Sequence, residues 1–531
     1  MNCTRKPMAI LLALVICFCL WPATAFSEES DVIVVDKELR TTQPSSPMLT
    51  FSSSTPFELS TANGARNWNG IIEYSTNKAD WRVWDGATAL RSDWHVNQER
   101  LYLRGSGNTR ICTCEEERWV LSDIDHPAPH ALMKSAAMQD RGPKVACTGN
   151  IEYLLHYHTV EAGNHPTMAA HCFDHLFYNC TSLTQAPILP ASSLTDYCYA
   201  LMFAGCTSLK NAPQLPATDL KTGCYERMFY GCSSLITAPS VLPAETLLPS
   251  CYHFMFADCS SLKTVPVLPA ETLASSCYDS MFRRCTALQT TPQLPALELA
   301  DNCYAHMFYG CTSLSEAPEL PAMRLAQYCY AYMFYGCTSL FEAPELPAEQ
   351  LARGCYSNMF HACTSLTEMP FLCAQTLANS CYFRMFGSCT ALTTVWWLPA
   401  ENLATGCYAN MFEHCTSLTE PPVLWSTSLA EACYQSMFSG CTSLQAFPTL
   451  RAKELPDRCY AWMFYGCSNL KVSAIQTDEY NRTYRIPFAQ AASYIGDDPT
   501  QEMFGGTGGT FTGTPEVNTT YYLHQDNYIV W

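Results

Sequence analysis

The sequence lacks three features, and each absence excludes a class of protein. It has no run of about 18 apolar residues, the length that a membrane-spanning helix requires. Its 30 lysines and arginines are scattered among 48 acidic residues, giving a net charge of −18, so the clustered positive charge that binds nucleic acid is missing. It has neither a His-Glu-x-x-His nor a Gly-x-Ser-x-Gly motif. We therefore expect no transmembrane helix, no nucleic acid partner, no enzymatic activity and no cofactor.

Cysteine, in contrast, is abundant, and most of the 31 cysteines follow a period. Leading cysteines recur every 26 residues with a single step of 27, and a second cysteine follows each of them eight residues later. The twelve leading cysteines are Cys172, Cys198, Cys224, Cys251, Cys277, Cys303, Cys329, Cys355, Cys381, Cys407, Cys433 and Cys459. A period of about 20 to 50 residues predicts a solenoid, in which stacked units bury their apolar faces against one another.

One unit predicts its own local structure when its positions are counted from the leading cysteine, so that Cys303 is position 1 and Cys311 is position 9. Apolar residues at positions 1, 5 and 9 are spaced as on one face of a helix, which predicts a short helix over residues 303–309. Gly310 fits the left-handed residue that closes such a helix. Residues 314–317 predict a strand of three or four residues, since a proline follows. The predicted fold class is an α/β solenoid of leucine-rich repeats, each with one short strand and one short helix.

The apolar positions predict ladders of identical side chains in the core. Examples are Cys198, Cys206, Cys303, Cys311, Cys329, Cys337, Phe308, Phe334, Leu314 and Leu340. We expect the cysteines to be free thiols, because eight helical residues would separate the two of one unit by about 12 Å, whereas a disulfide needs Cα atoms within about 7 Å. A metal site is not expected either, since structural zinc sites use closely paired ligands such as Cys-x2-Cys.

The unit Cys-Tyr-x-x-Met-Phe-x-Gly-Cys-Thr-Ser-Leu-x-x-Ala-Pro-x-Leu-Pro resembles the BspA-like leucine-rich repeat of bacterial surface proteins. The resemblance depends on Phe at position 6, Cys at position 9 and Leu at position 12, and it extends from residue 171 to residue 469. The unit departs from that repeat at positions 1 and 2, where it has Cys and Tyr in place of Ile and Gly. The resemblance implies a role in attachment to host matrix proteins or to other cells.

The segments outside the repeats predict export and two caps. Arg5 and Lys6 precede an apolar run over residues 9–21 and a small-residue cleavage site, as in a secretory signal peptide. Short strand-like runs between turn residues predict a small β-sandwich ahead of the repeats. The predicted organisation is a signal peptide at 1–25, a linker at 26–47, a β-rich N-terminal domain at 48–160, a twelve-unit solenoid at 161–475 and a β-strand cap at 476–531.

These segments predict a secreted or surface-displayed protein. A lipid anchor on Cys17 or Cys19 is not expected, because Ile16 and Phe18 stand where lipid attachment needs small residues. In the N-terminal domain, a bridge from Cys114 to Cys147 remains an open alternative to free thiols.

Histidines near the first repeat leave a second alternative open. His171 and His175 would lie one helical turn apart, and His156 and His158 would share a strand face. Metal binding is the sharper hypothesis for these pairs, and polar decoration of an atypical first repeat is the one we favour.

Candidate partner contacts lie at the variable positions of the unit. Tyrosines at position 7 are Tyr178, Tyr230, Tyr309, Tyr335 and Tyr465, and glutamates at positions 14 and 17 include Glu316, Glu319, Glu342 and Glu345. Tyrosine at position 2 is expected to form a partly buried stack. We expect the exposed repeat surface to bind a protein or glycan on host or neighbouring cells. A carbohydrate-binding component of a surface glycan system and a structural envelope protein are the alternatives.

Overall fold

The computed structural model describes residues 48–95, 97–124, 142–486 and 494–530. The predicted signal peptide and linker, with Cys17 and Cys19, lie outside the described residues. Within the described ranges, no helix is both long enough and apolar enough to cross a bilayer.

Two sheets and one helix precede the repeats. Their strands are β1 (Thr50–Ser53), β2 (Phe57–Thr61), β3 (Ile71–Ser75), β4 (Arg82–Val83), β5 (Leu90–Arg91), β6 (Asp93–His95), β7 (Gln98–Ser106), β8 (Trp119–Asp123) and β9 (Val145–Thr148), with a 3-10 turn at Glu115–Glu117 and the helix α1 at Tyr153–Glu161. The larger sheet has the order β10-β9-β1-β7-β3-β4, with β6 also paired to β7, and the smaller has the order β5-β2-β8; β10 (Leu183–Gln185) belongs to the first repeat. His156 and His158 lie on α1, so the prediction that they share a strand face is wrong.

The apolar interior of this region continues into the first repeat. The rings of Phe51 and Trp119 each lie 6.2 Å from the ring of Phe177, which occupies position 6 of that repeat. Strand β9 pairs in parallel with β10, with Val145 opposite Leu183. The first repeat is therefore covered by side chains and by paired backbone.

The predicted helix at residues 303–309 does not form. Between residues 171 and 469, all of which the structure describes, there is no α-helix. The segment from position 26 of one unit to position 9 of the next is a series of tight turns instead. The N–H groups at odd positions donate to the carbonyl three residues earlier, as Met307 does to Tyr304 and Tyr309 does to His306. The i, i+4 pattern of apolar residues reflects a four-residue turn repeat and not the 3.6-residue period of a helix.

Each turn repeat contains a residue in the left-handed conformation. Around Cys303 these residues are Asn302 (φ 55°), at position 26 of the preceding unit, and His306 (φ 54°) and Gly310 (φ 71°), at positions 4 and 8. The left-handed conformation predicted for Gly310 is therefore observed, although no helix precedes it. The same three positions have positive φ in all twelve units, and none of them is a β-branched residue, for which this conformation is most strained.

The N–H groups at even positions bind the next unit. Tyr304 donates to the carbonyl of Cys329 at 3.0 Å, and Phe308 donates to that of Met333 at 2.9 Å. One unit thus satisfies half of its turn amides internally and half through its neighbour, so buried backbone groups are paired without helix or sheet. Because the turn amides that bind a neighbouring unit always lie on the earlier unit, the hydrogen bonding of the turns is directional.

The predicted strand at residues 314–317 is also absent. On this side of the repeats neighbouring units are joined mostly by single parallel bridges, as between Leu346 and Leu372 or between Gln350 and Thr376. Regular strands occur at the two ends, in β10 and in β11 (Ala446–Pro448). Prolines at positions 16 and 19 have no N–H to donate, which limits the pairing to isolated residues.

The interior consists of stacked ladders. Neighbouring rings of the phenylalanines at position 6 and of the tyrosines at position 2 lie 5.4 to 5.9 Å apart and are nearly parallel. The position 2 tyrosines are buried completely, more deeply than the partial burial that the sequence suggests. The predicted core residues Cys198, Cys206, Cys303, Cys311, Cys329, Cys337, Phe308, Phe334, Leu314 and Leu340 are all buried.

The cysteines of both ladders are free and buried, and Cys114 and Cys147 are also unbridged. From the second unit onward, each thiol at position 9 donates to the carbonyl of the phenylalanine in the preceding unit, as Cys311 does to Phe282 at 3.1 Å. The separation of about 12 Å predicted for the two cysteines of one unit assumed a helix, so it does not apply to the observed turns. Burial raises the pKa of Cys311 to about 12, so the thiol stays protonated near neutral pH.

The stack continues beyond the predicted solenoid boundary at residue 475, because residues 498–507 form a thirteenth half-unit. Phe464 and Gly466 donate to the carbonyls of Met503 and Gly505, as each earlier unit does to its successor. Asp498, Glu502 and Gly506 have positive φ, again every fourth residue. The predicted C-terminal strands are present as β12 (Val472–Ser473), β13 (Tyr480–Arg485), β14 (Thr520–His524) and β15 (Tyr528–Val530). They pair in the order β12-β14-β13, and β15 pairs with β11.

The two ends of the stack require opposite hydrogen-bonding groups. The first unit has no earlier unit to bond its turn carbonyls, and the N-terminal region supplies the N–H donors instead. The N–H of Ile111 donates to the carbonyl of Cys172 and that of Trp119 to the carbonyl of Leu176, both at 2.8 Å. The last full unit has free N–H groups, and the thirteenth half-unit supplies carbonyls. Each end is therefore closed by backbone of matching polarity.

Candidate binding surface

Rings at position 7 stack on the surface of the central units. Tyr309 and Tyr335 are parallel, with centroids 4.6 Å apart and planes at 3°, and the stack ends on the buried ring of His361, 4.7 Å from Tyr335. Both tyrosines are half-buried. The unit-to-unit hydrogen bonds hold their backbones in register, so the rings are fixed before any partner arrives.

A second row at position 4 widens this surface. His306 stacks on Tyr332 with centroids 4.9 Å apart, and Tyr332 lies 5.9 Å from Tyr335. The left-handed backbone at position 4 brings these rings beside the rings at position 7. We call the five rings of His306, Tyr309, Tyr332, Tyr335 and His361 the aromatic face.

Guanidinium groups flank the aromatic face at both ends. Arg283 lies over the ring of Tyr309 at 4.7 Å, in a cation–π contact. At the other end Arg384 forms an ion pair with Glu413 at 3.0 Å. Burial, with Arg384 and His414 nearby, lowers the pKa of His361 to about 4, so its ring is neutral near pH 7.

Carboxylates and imidazoles alternate along the units before the aromatic face. His253 lies 3.5 Å from Glu226 and 3.7 Å from Asp279, and Asp279 lies 3.3 Å from His306. The aromatic face therefore has acidic groups on its N-terminal side and arginines at both ends. An apolar centre with a charged rim is typical of protein interfaces.

The structure brings together only some of the predicted contact residues. Tyr309 and Tyr335 belong to the aromatic face, whereas Tyr178, Tyr230 and Tyr465 lie at position 7 of distant units. Tyr178 contacts His175, and Tyr230 lies 6.5 Å from Phe254. Tyr465 is 47% exposed, more than Tyr230 at 38%.

The predicted glutamates form an exposed strip on a different part of the unit. Glu316, Glu319, Glu342 and Glu345 are all exposed, at positions 14 and 17. None of them has an ion pair among the described residues. A solvated acidic strip is sufficient to explain them.

The histidines of the first repeat contact a carboxylate. The Nδ1 atoms of His171 and His175 lie 2.9 and 2.7 Å from the two oxygens of Asp174. In the part of the chain that the structure describes, no three His, Cys, Asp or Glu side chains are grouped as metal ligands.

Sequence reasoning missed a group of exposed aromatic residues at positions 16 to 19. Trp396 replaces the usual proline of position 16, Trp397 occupies the variable position 17, and Trp425 replaces the second proline of the next unit. Trp397 and Trp425 are 46% and 45% exposed, and they line a groove of about 330 Å³ with Pro399 and Glu401. The replacement of the usual prolines by Trp396 and Trp425 was the available signal.

The repeats match a known family. A sequence profile described as "BspA type Leucine rich repeat region" matches residues 170–315, 298–419 and 356–482, which together make up more than half of the chain. No curated protein matches the sequence. A solved structure titled "Crystal structure of TLR13-ssRNA13 complex" is 15% identical over 53% of this chain and 42% of that chain, with a TM-score of 0.20. This chain thus spans less than half the length of that protein, and the low TM-score gives the likeness no weight.

Proposed function

Because the chain belongs to the BspA type leucine-rich repeat family, we propose that it is a secreted or surface-displayed adhesion protein that binds through its aromatic face. The partner is a protein on host or neighbouring cells, and no chemical step is involved. The observation that supports this proposal is the contiguous set of five rings, from His306 to His361, stacked across three neighbouring units.

The composition of the aromatic face favours a protein partner. Tyrosine and arginine are the residue types that most often dominate binding energy at protein interfaces, and they do so where they are clustered and held rigidly. The stack from Tyr309 to Tyr335 is rigid because its backbone is bonded to the units on both sides. Rings that are already ordered lose little conformational entropy on binding.

Charge on the rim adds selectivity. Arg283 and Arg384 at the two ends and Asp279 beside His306 favour a partner with complementary charges at matching positions. A charged rim also accelerates association, and this effect weakens as salt screens it.

The test uses a Tyr309→Ser/Tyr335→Ser double variant and a Tyr230→Ser/Tyr465→Ser control. All four tyrosines occupy position 7, but only the first pair belongs to the aromatic face. Immobilised matrix proteins and whole cells would be titrated with each protein by biolayer interferometry and cell attachment. We expect the first variant to bind at least tenfold more weakly and the control to bind as the parent does. Equal binding by both variants, or no binding by the parent to any matrix protein or cell, would contradict the proposal.

A further inference from the structure

The groove lined by Trp397, Pro399, Glu401 and Trp425, here named the tryptophan groove, is a second site at positions 17 to 21 of two neighbouring units. We propose that it binds a sugar ring of an uncharged glycan. Its residues share nothing with the aromatic face, which uses positions 4 and 7.

The two indoles are held from beneath. Phe371 meets Trp397 edge to face at 5.2 Å and stacks on Trp396 at 5.0 Å. The indole N–H of Trp396 donates to the carbonyl of Met369 at 3.0 Å. On the far side of the groove the guanidinium of Arg451 lies 5.1 Å from the ring of Trp425. Each exposed indole is therefore supported by a packed neighbour and still presents nearly half of its surface to solvent.

Backbone bridges join the two units next to the residues that line the groove. Leu398 bridges to Leu424, and Asn402 bridges to Ser428. The buried hydroxyl of Ser426 lies 2.8 Å from the carbonyl oxygens of both Glu401 and Ser428 and can donate its one proton to either, which fixes the segment after Trp425 against the opposite wall. The spacing between the indoles is consequently set by the fold.

Size and polarity select the ligand. A volume of about 330 Å³ is at the lower end of the range for ligand pockets, which runs from about 300 to 1,000 Å³. A sugar ring has an apolar C–H face that packs on an indole and hydroxyl groups around its edge that donate hydrogen bonds. The exposed carboxylate of Glu401 is an acceptor for such hydroxyls.

The same carboxylate disfavours two other ligands. A proline-rich peptide, which also binds aromatic grooves, offers carbonyl acceptors and has no N–H on its prolines, so it would bring acceptors against the acceptor Glu401. An acidic glycan would be repelled by Glu401 and by the net charge of −18.

The experiment measures retardation of the full chain in native gels that contain soluble xylan, mannan, mixed-linkage β-glucan or polygalacturonate, together with titration of a decaproline peptide. Trp397→Ala and Trp425→Ala are compared with Trp94→Ala, a control that removes another exposed tryptophan, 59% accessible and remote in sequence. Thermal unfolding of each variant establishes that it is folded.

We expect the parent and Trp94→Ala to be retarded by at least one of the three neutral polysaccharides, with affinity reduced at least tenfold in Trp397→Ala and in Trp425→Ala. Binding of decaproline without any neutral polysaccharide, retardation by polygalacturonate alone, or no retardation in any gel would overturn the proposal. The Tyr309→Ser/Tyr335→Ser variant should keep its glycan binding, which separates this site from the aromatic face.

Discussion

Phe504 stacks on Phe464 with ring centroids 6.2 Å apart and planes at 13°, although Phe504 lies beyond the last cysteine of the repeats. The contact extends the phenylalanine ladder by one ring and identifies residues 498–507 as a half-unit that covers the end of the stack. Both rings are completely buried. The stability of the last full unit should therefore depend on a residue that the cysteine period does not mark.

Substituting Phe504→Ala should lower the free energy of local unfolding at the C-terminal end by about 3 to 5 kcal/mol, the range for removing a buried phenylalanine ring. The amides of Tyr460, Trp462 and Phe464, which donate to the half-unit, should lose protection in hydrogen exchange measured by mass spectrometry. Ile475→Ala, which removes a 73% exposed side chain, is the control. Unchanged protection in Phe504→Ala would contradict the assignment of the half-unit.

The left-handed positions predict opposite effects of two matched substitutions. Ala362 has φ 60° and Gly336 has φ 70° at the same position of neighbouring units. A Cβ added at Gly336 would meet no atom closer than 3.9 Å, so the substitution would change backbone strain without a steric clash. Left-handed strain destabilises alanine at this position by about 1 to 2 kcal/mol, and the greater entropy of glycine in the unfolded chain offsets part of this difference. Glycine should therefore be more stable than alanine here by about 0.5 to 1 kcal/mol. Ala362→Gly should raise the urea midpoint and Gly336→Ala should lower it.

A control for this pair is Ala326→Gly, because Ala326 is not among the residues with positive φ. Glycine there brings the entropic cost without relief of strain, so the urea midpoint should fall. A rise of similar size in Ala326→Gly and Ala362→Gly would show that backbone strain is not the cause.

The buried thiols predict alkaline unfolding. Burial raises the pKa of Cys311 from 9.0 to about 12, and Cys389 and Cys441 are raised to about 12 for the same reason. Because the folded pKa exceeds the unfolded one, the stability from each thiol is complete below pH 9 and is lost progressively between pH 9 and about 12. Each such thiol lowers the free energy of unfolding by about 1.4 kcal/mol for every pH unit above 9. A few of them would therefore cancel a net stability of about 5 to 15 kcal/mol by pH 10 to 11.

Circular dichroism after equilibration without oxygen should detect this transition, with a midpoint one to two units above pH 9. Return to pH 8 should restore the native spectrum. A native spectrum that persists after prolonged incubation at pH 12 would contradict the burial of the thiols as protonated groups.

The same burial predicts how the thiols react with alkylating reagents. In the native protein at pH 8, iodoacetamide should spare the ladder thiols, such as Cys303 and Cys311, because thiolate is the reactive form and burial disfavours it. After denaturation without reductant, all 24 ladder thiols should react, since each is free in the structure. Mass spectrometry counts the adducts. Fewer than ten ladder adducts would contradict the free ladders.

The tyrosine ladder carries buried hydroxyls whose removal should not destabilise the protein. The hydroxyl of Tyr304 is buried and has no hydrogen-bond partner within the described residues. A buried polar group without a partner costs about 1 to 3 kcal/mol, so Tyr304→Phe should leave the urea midpoint unchanged or raise it. Tyr484→Phe, which removes a hydroxyl that donates to the carbonyl of Pro448 at 3.1 Å, should lower it. A fall in both variants would show that the Tyr304 hydroxyl has a partner, such as an internal water.

The repeat period and the core positions could be predicted because identical side chains stack on one another, so the same residue types recur at the same positions of every copy. The conformation of one unit could not. Apolar residues at positions 1, 5 and 9 fit both a helix and a chain of four-residue turns, and a single copy does not distinguish them. Comparison among the copies offers a signal, since positions 4, 8 and 26 avoid β-branched residues, as His306 and Asn302 illustrate.

The candidate surfaces were predicted less well than the core. Tyr309 and Tyr335 were identified from their variable position, but the contribution of His306 and Tyr332 depends on a left-handed backbone that a helical unit would not have. Trp397 was missed because it lies at a variable position, and Trp425 was missed because a substitution in a single copy does not recur along the chain. Positions that make a site specific are those that a repeat does not constrain.

The one-way hydrogen bonding of the turn amides makes the stack of units extensible. In its turn segment, any interior unit accepts from the unit before it and donates to the unit after it in the same register, as the contacts of Cys329 with Tyr304 and of Tyr330 with Cys355 illustrate. A gene encoding one more or one fewer unit would therefore yield a chain that closes with the ends it already has. The two terminal pieces could not be exchanged, because the N-terminal one offers amides and the C-terminal one offers carbonyls. The molecule can therefore be lengthened or shortened only by adding or removing interior units.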